Sequence, residues 1–309
     1  MAVGSPDQRG ALVPTAALSG DSPRVTTAAI AGHWSQAWAR LLGDRTAMGA
    51  GLMILGMVLA AVFAGLIAPY DYAAQNMNNR FATPTAANLL GTDQLGRDVL
   101  SRLIYGARIS LSVGVVSVGI AVTFGLPAGA IAGYFGGKID LLLMWLMDLL
   151  LAFPGLLLAI AIASALGPSV TNAMIAIGIV NVPRFARLVR SSVLSVRATE
   201  FVEAARSIGA GSARIIFLHV LPNILAVVIV RATLALGGAI LTEAGLSFIG
   251  LGAQPPDPSW GGMLNDGREA IRRASHLATF PGLCIMATVL AFNLLGDGLR
   301  DSLDPRMKH

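Results

Sequence analysis

Long apolar runs constrain the fold of this chain more than any other feature. They lie near residues 49–68, 109–133, 141–166, 170–189, 224–248 and 277–296. A bilayer core about 30 Å thick takes about 20 residues of helix, and lipid offers the backbone no hydrogen-bond partner, so each run must satisfy its own N–H and C=O groups. The spacing therefore predicts an all-α, polytopic membrane protein with six transmembrane helices and both termini on one side. Composition agrees, with 55% hydrophobic and 13% charged residues and a mean hydropathy of +0.69. The fourth run changes character at "PRFARLVR", where Arg184, Arg187 and Arg190 predict that the helix leaves the membrane.

Basic residues outnumber acidic ones 22 to 17, but they cluster beside apolar runs rather than along one solvated face. That arrangement speaks for membrane orientation and against nucleic acid. The N-terminal tail, the 134–140 turn, the 184–223 loop and the C-terminus together carry twice as many Lys and Arg as the alternate loops. The positive-inside rule then puts both termini and the 184–223 loop in the cytoplasm. Residues 1–33 are rich in Ala, Ser, Thr, Pro and Gly, lack a continuous apolar stretch, and read as a disordered tail rather than a signal peptide. In "HWSQAWARLLGD", Trp34, Trp38, Leu41 and Leu42 share one helical face and predict a short helix on the membrane surface. The lone Cys284 sits in an apolar run, supports neither a disulfide framework nor a thiolate metal site, and reads as a small buried hydrophobe.

Gly125, Gly129 and Gly133 recur every four residues around Pro127, a spacing that lets another helix approach closely. Pro154 and Pro183 lie within the third and fourth runs and, like Pro127, read as packing features with a gating kink as the alternative. Charged and amide side chains inside a bilayer are costly and face the bundle interior or a water-filled path. Asp148, Asn181, Arg231 and Glu243 are the candidates for a translocation path or gate: Asp148 and Arg231 are placed to pair across helices, and Glu243 to line the path near the outer end of the fifth span. Asp140, at a span edge, reads as interfacial.

Between the fourth and fifth runs lies "EFVEAARSIGAGSARIIFLHVLPN", residues 200–223. Thr199 is placed to cap a short helix, Glu200 and Glu203 suit the positive end of its dipole, and Phe201, Ala204, Ala205 and Ile208 form an apolar face. Gly209 and Gly211 stop it. Ser212 is placed to cap a second helix, "ARIIFLHVL", ended by Pro222 and Asn223. The pattern describes either a protruding knob whose small residues admit a partner backbone or a hairpin lying on its own bundle.

The order Glu203-Ala204-Ala205, Gly209, His219, Val220, Leu221, Pro222 resembles the EAA loop of permease subunits of bacterial ABC importers. In that family the loop forms the coupling helix that docks on the ATP-hydrolysing subunit, so the resemblance implies ATPase coupling by Glu203, Ala204, Ala205, Gly209, His219, Leu221 and Pro222, although the family often has Ile where this chain has His219. Residues 89–114 ("LLGTDQLGRDVLSRLIYGARISLSVG"), 245–268 ("GLSFIGLGAQPPDPSWGGMLNDGR") and 291–306 ("AFNLLGDGLRDSLDPR") are similar to the dipeptide, oligopeptide and nickel branch, specifically to the second permease of the pair. Physically, Gly91 and Gly96 bracket a turn, and Asp93, Arg97, Asp98, Arg102 and Arg108 are placed to form an ion-pair belt on the outer side. The 249–275 loop, with Pro255, Pro256, Pro258 and Trp260, reads as a cap facing a substrate-delivery protein or as a rigid structural loop.

The resemblance implies a type I ABC importer permease fold. It divides the chain into a disordered cytoplasmic tail (1–33), an interfacial helix with the first transmembrane helix (34–70) and an extracytoplasmic loop (71–106). A five-helix core (107–298) containing the coupling loop at 190–223 and a cytoplasmic tail (299–309) complete it. Its partners would be a homologous permease, two ATP-binding subunits, an extracytoplasmic binding protein and the bilayer, with di- or oligopeptides, nickel chelates, glutathione or another small solute as cargo. No G-x-x-x-x-G-K-[ST] loop occurs, so ATP, the only cofactor of such a machine, would bind the partners, and the chain itself would be non-catalytic. Two other classes compete. An ion-driven secondary transporter predicts matched inverted halves, which the sequence lacks. An intramembrane hydrolase would use Asp140, Asp148 or a His-based metal site, yet His33, His219, His276 and His309 show no ligand spacing.

Overall fold

A computed structural model describes residues 38–303. The expected N-terminal tail, Trp34 and residues 304–309 lie outside the described residues. Within them the regular elements are helices, apart from one isolated bridge between Thr92 and Asp98. Residues 38–43 are helical, but the expected single apolar face divides: Leu41 is buried whereas Trp38 and Leu42 face outward. Gly298 explains the inward turn, because a Cβ there would meet the Ala47 Cβ at 2.4 Å and Leu41 Cδ1 at 3.5 Å.

The first span is α1 (Arg45–Val62), continued after Phe63 by α2 (Ala64–Ile67). Asp44 caps α1 by accepting from Thr46 N at 2.9 Å and Thr46 Oγ1 at 2.7 Å, and these bonds hold its carboxyl below the usual carboxylate range. At the joint, Arg108 donates from Nε to Ala61 O and from Nη2 to Val62 O, both at 3.1 Å, supplying partners for carbonyls at the helix end.

Helix α3 (Val99–Phe135) has 37 residues, about 55 Å at 1.5 Å per residue, so it rises well beyond a 30 Å core. Gly136 at φ +68° and Gly137 at φ +57° reverse the chain into α4 (Gly137–Leu151). The third run is not one straight helix as expected. It breaks after Leu151 and restarts as α5 (Gly155–Leu166), bent by 87°. Pro154 is the cause: it lacks an N–H and crowds Phe153 out of helical geometry, which an apolar composition cannot offset.

Helix α6 (Val170–Arg197) packs lengthwise on α3. The glycine stripe makes this possible, since a Cβ at Gly129 would lie 2.3 Å from Ala186 O and one at Gly125 would lie 2.8 Å from Val182 O. After α7 (Glu200–Ser207), α8 runs unbroken from Ser212 to Phe248. Pro222 therefore does not end a helix. A π turn over Ile216–Val220 absorbs it, with Leu221 N reaching back to Ile216 O and Asn223 Nδ2 donating to His219 O at 2.6 Å.

Helices α9 (Trp260–Arg268) and α10 (His276–Leu303) complete the described residues. Among the described residues five helices are long and apolar enough to cross a bilayer, or six where the bent α4–α5 pair is counted as one span. One apolar cluster joins α1, α3, α8, α9 and α10 at the end carrying α9, which we term the cap end; a second joins α3, α6, α7 and α8 at the opposite, knob end. Cys284 is half-buried against the first cluster rather than fully enclosed.

Candidate functional site

The knob is built from its anchor outward. Val202 and Ala205 of α7 are buried against Ala130 and Tyr134 of α3, Val189 and Val193 of α6, and Ile215, Ile216, Val220 and Ile224 of α8. The expected apolar face of α7 is thus divided. Ala205 turns inward, while Phe201 (46% exposed), Ala204 and Ile208 (85% exposed) point away from the bundle. Glu203 is exposed beside them, and with Glu200 it sits in the first turn, where the helix dipole favours acid. Thr199 occupies the N-cap position without making the expected side-chain cap; its Oγ1 donates instead to Val196 O at 2.6 Å.

Gly209 ends α7 in a Schellman motif. It has φ +82°, its N–H donates to Arg206 O at 3.0 Å, and Ala210 N donates to Ala205 O at 3.1 Å. Gly211 is only the N-cap of α8, so Ser212 is its first residue rather than its cap. His219, Leu221 and Pro222 lie in and just after the π turn: His219 and Leu221 are half-buried and Pro222 is exposed. The motif therefore has two parts, a presenting helix around Glu203 and Ala204 and a wide turn that carries the chain back into its span.

The polar residues of the spans separate into paired and unpaired sets. Asp148 does not pair with Arg231. Its Oδ1 is 2.5 Å from Arg187 Nη2, because α4 packs on α3 and α6, which puts Asp148 opposite Arg187. Likewise Asp140 takes both Arg190 Nε (2.5 Å) and Nη2 (2.6 Å). Asn181 Nδ2 donates to Ile177 O at 2.9 Å, and its Oδ1 accepts from Arg184 Nη1 at 3.1 Å. Glu243 is 1% exposed, accepting from Ser247 Oγ at 2.6 Å and Ser110 Oγ at 3.4 Å, so it clasps α8 to α3 inside the packing. Arg231 is half-buried on α8.

At the cap end, Arg97 Nε contacts Asp93 Oδ2 at 2.5 Å, Arg102 Nε reaches the same oxygen at 3.6 Å, and both arginines approach Asp266 Oδ2, at 3.5 and 3.9 Å. The expected belt of five is narrower in fact. Asp98 instead caps α3 through Ser101 N and Oγ, both at 2.8 Å, and Arg108 serves the α1 carbonyls. Sequence reasoning missed Asp266, whose only signal was an acid in a loop distant along the chain. Trp260 is buried and donates from Nε1 to Leu103 O at 3.0 Å, and a Cβ at Gly261 would lie 2.3 Å from Ala244 O, which fixes α9 rigidly on α3 and α8. Above it, burial and the Asp257 carboxylate push the Tyr72 phenol above its ordinary value. Among the described residues no cluster of His, Cys, Asp and Glu is arranged to hold a metal.

Comparison with known proteins is consistent along the chain. Residues 125–309 match the family of the binding-protein-dependent transport system inner membrane component, and residues 32–84 match the N-terminal transmembrane domain of oligopeptide transport permease C. The dipeptide transport system permease protein DppC of Alkalihalophilus pseudofirmus is 51% identical over 275 residues, covering 89% of this chain and 90% of that protein. The glutathione transport system permease protein GsiD of Pectobacterium atrosepticum is 45% identical over 276 residues, covering 89% and 92%. An inward-facing structure of the MetNI methionine ABC transporter superposes with a TM-score of 0.55 at 18% identity, over 66% of this chain and 97% of that one, a likeness of fold. The helical bundle, the knob and these matches together place the chain in the family of binding-protein-dependent transport system inner membrane components, as a non-catalytic, multi-pass permease subunit of an ABC importer.

Proposed function

We propose that this chain is the second permease of an importer of di- and oligopeptides. It pairs with a homologous permease to enclose the path, receives cargo from an extracytoplasmic binding protein at the α9 cap, and meets an ATP-binding subunit at the α7 knob. Two such ATP-binding subunits hold the nucleotide; both termini and the knob lie in the cytoplasm of a bacterial cell, with residues 107–298 as the five-helix core and the 34–70 segment outside it. The outward face of α7 is the observation that carries this reading. A short helix anchored by Val202 and Ala205 offers Phe201, Ala204 and Ile208 to its surroundings, and this outward face has the size and apolarity of a docking knob. ATP-driven closure of the ATPase pair would move the knobs together, and rigid spans such as α3–α6 would convert that into alternating access.

Peptide as cargo is supported by the dipeptide permease at 51% identity. A second reading, glutathione, draws on the 45% identical permeases named for that tripeptide. The test is reconstitution of the four-subunit complex in liposomes with its binding protein. ATP-dependent uptake of dialanine, with Glu203→Lys uncoupling hydrolysis from uptake or releasing the ATPase, is the expected result. Uptake driven by an ion gradient without ATP, or Glu203→Lys without effect on both coupling and subunit retention, would sink the proposal.

A further inference from the structure

Three exposed arginines gather around one hollow of the cap end. Arg268 closes α9, and Arg272 and Arg273 lie in the turn that follows; with Phe81, Asp266 and Glu269 they line a cavity of about 560 Å³. None of the three makes an ion pair among the described residues. Of the two acids in the lining, Asp266 is engaged by Arg97 and Arg102, which leaves Glu269 to face three cations. With the cap outside, these arginines stand on the side where the positive-inside rule thins out basic residues.

Two of the guanidinium groups are placed by aromatic rings instead of by acids. Arg273 Cζ lies 3.8 Å from the ring centroid of Phe81, and Arg268 Cζ 5.9 Å from that of Phe248. A guanidinium stacked on a ring keeps its in-plane N–H donors for another group. Phe81 itself is held at φ +56°, a conformation that a bulky residue seldom adopts, and its N–H donates to Asp93 O at 3.0 Å. Arg80 fixes the same segment: its Nε donates to Gln94 O at 2.6 Å, and its Cζ lies 5.7 Å from the Phe81 centroid. Backbone strain of this kind persists only where the surroundings over-determine it, and here it sets the ring that carries Arg273.

The lining comes from Phe81 and Gln94, from α9 and from the turn at 269–273, with no residue of a membrane-spanning helix, so the hollow opens on the cap and not into a path between spans. That position suits a docked protein better than cargo in transit. Arginine and aromatic side chains beside an exposed apolar residue, here Ile271 at 55% exposure, have the composition of a protein interface.

We propose that this hollow is a socket for an acidic loop of the extracytoplasmic binding protein, whose Asp or Glu carboxylates pair with Arg268, Arg272 and Arg273. It rests on the reading that the cap receives that protein. Charge pairs at an interface rim speed encounter and fix register, so the socket sets how readily the binding protein engages and not how fast the engaged complex turns over.

The experiment titrates loaded binding protein against the complex in phosphatidylcholine liposomes and follows ATP hydrolysis; parallel series use liposomes containing phosphatidylglycerol, and dialanine or alanyl-glutamate as cargo. Arg272→Glu combined with Arg273→Glu should raise the concentration for half-maximal stimulation roughly tenfold at about 0.05 M salt and leave the maximal rate within about twofold. Most of that shift should vanish at about 0.5 M salt, where exposed charges are screened. Arg272→Gln, which removes one charge, should raise it about threefold. A wild-type titration curve in the double variant overturns the socket and leaves docking at the cap standing. A lower maximal rate at an unchanged half-maximal concentration overturns it in favour of a structural role. A shift confined to phosphatidylglycerol liposomes assigns the arginines to a lipid headgroup, and one confined to alanyl-glutamate assigns them to cargo; either overturns the socket. Wild-type hydrolysis indifferent to the binding protein removes the cap reading and the socket together.

Discussion

Gly209→Ala isolates the feature that gives the knob its attitude. Gly209 has φ +82°, and nothing lies within 4 Å of a Cβ built on it, so the penalty for Ala is conformational and not a clash. The left-handed region costs an L-residue about 1–2 kcal/mol. The chain can accept that strain or leave the region, giving up the Ala210 N to Ala205 O and Gly209 N to Arg206 O bonds, each worth about 0.5–1.5 kcal/mol net. Either route raises the population of knobs detached at their C-terminal end by roughly 5- to 30-fold. Gly211 is the control: at φ −66°, ψ 151° and with no neighbour within 4 Å, it accepts Ala without strain. Hydrogen exchange of the 208–210 amides in the reconstituted complex, read beside peptide imported per ATP hydrolysed, should show Gly209→Ala faster and less coupled, and Gly211→Ala unchanged. Identical behaviour of the two variants would refute the assignment of the Schellman turn as the element that sets the knob.

Two further substitutions probe the frame around the knob. Gly129→Ala should lower the thermal unfolding midpoint of the detergent-solubilised chain and loosen α3 from α6, because its Cβ would fall 2.3 Å from a backbone oxygen, whereas Gly119→Ala, with open space around it, should leave the midpoint unchanged. Asp93→Asn leaves Arg97 and Arg102 buried with only the more distant Asp266 carboxylate, and should cost about 3–5 kcal/mol in denaturant unfolding of the complex, most of it the uncompensated charge.

Features set by local chemistry were legible in the amino-acid order. The spans follow from run length, the close helix approach on α3 from glycines four apart, and the turn at Gly209 from a residue that alone is at ease with positive φ, while the choice of α6 as the glycines' partner came only with the fold. What escaped depends on partners distant in the chain. Asp148 was expected to pair with Arg231, but the packing of α4 on α6 sets it against Arg187, and Asp266 joins Arg97 and Arg102 across more than half the sequence. Two prolines reversed their expectations, Pro154 lying within a span that was expected to be whole and Pro222 at an expected helix end. Pro154 breaks its span outright, while Pro222 is carried through by a π turn because Leu221 N finds Ile216 O. Hydropathy is blind to both, as it sums side-chain transfer and ignores the missing N–H. In α7 the period of apolar residues was visible, but not which ones would be claimed by the bundle; the pairing of Val202 with Ala205 against α3 and α8 leaves Phe201, Ala204 and Ile208 outward.

Photo-crosslinking from the outward face of α7 tests the central claim most directly. A benzoylphenylalanine at position 201, 204 or 208 in the intact complex should give adducts with the ATP-binding subunit that intensify when ATP closes it, while the same probe at the exposed Arg272 of the cap end should give none with that subunit. Adducts confined to lipid or to the two permeases from all three α7 positions, in a complex that still imports, would contradict the account.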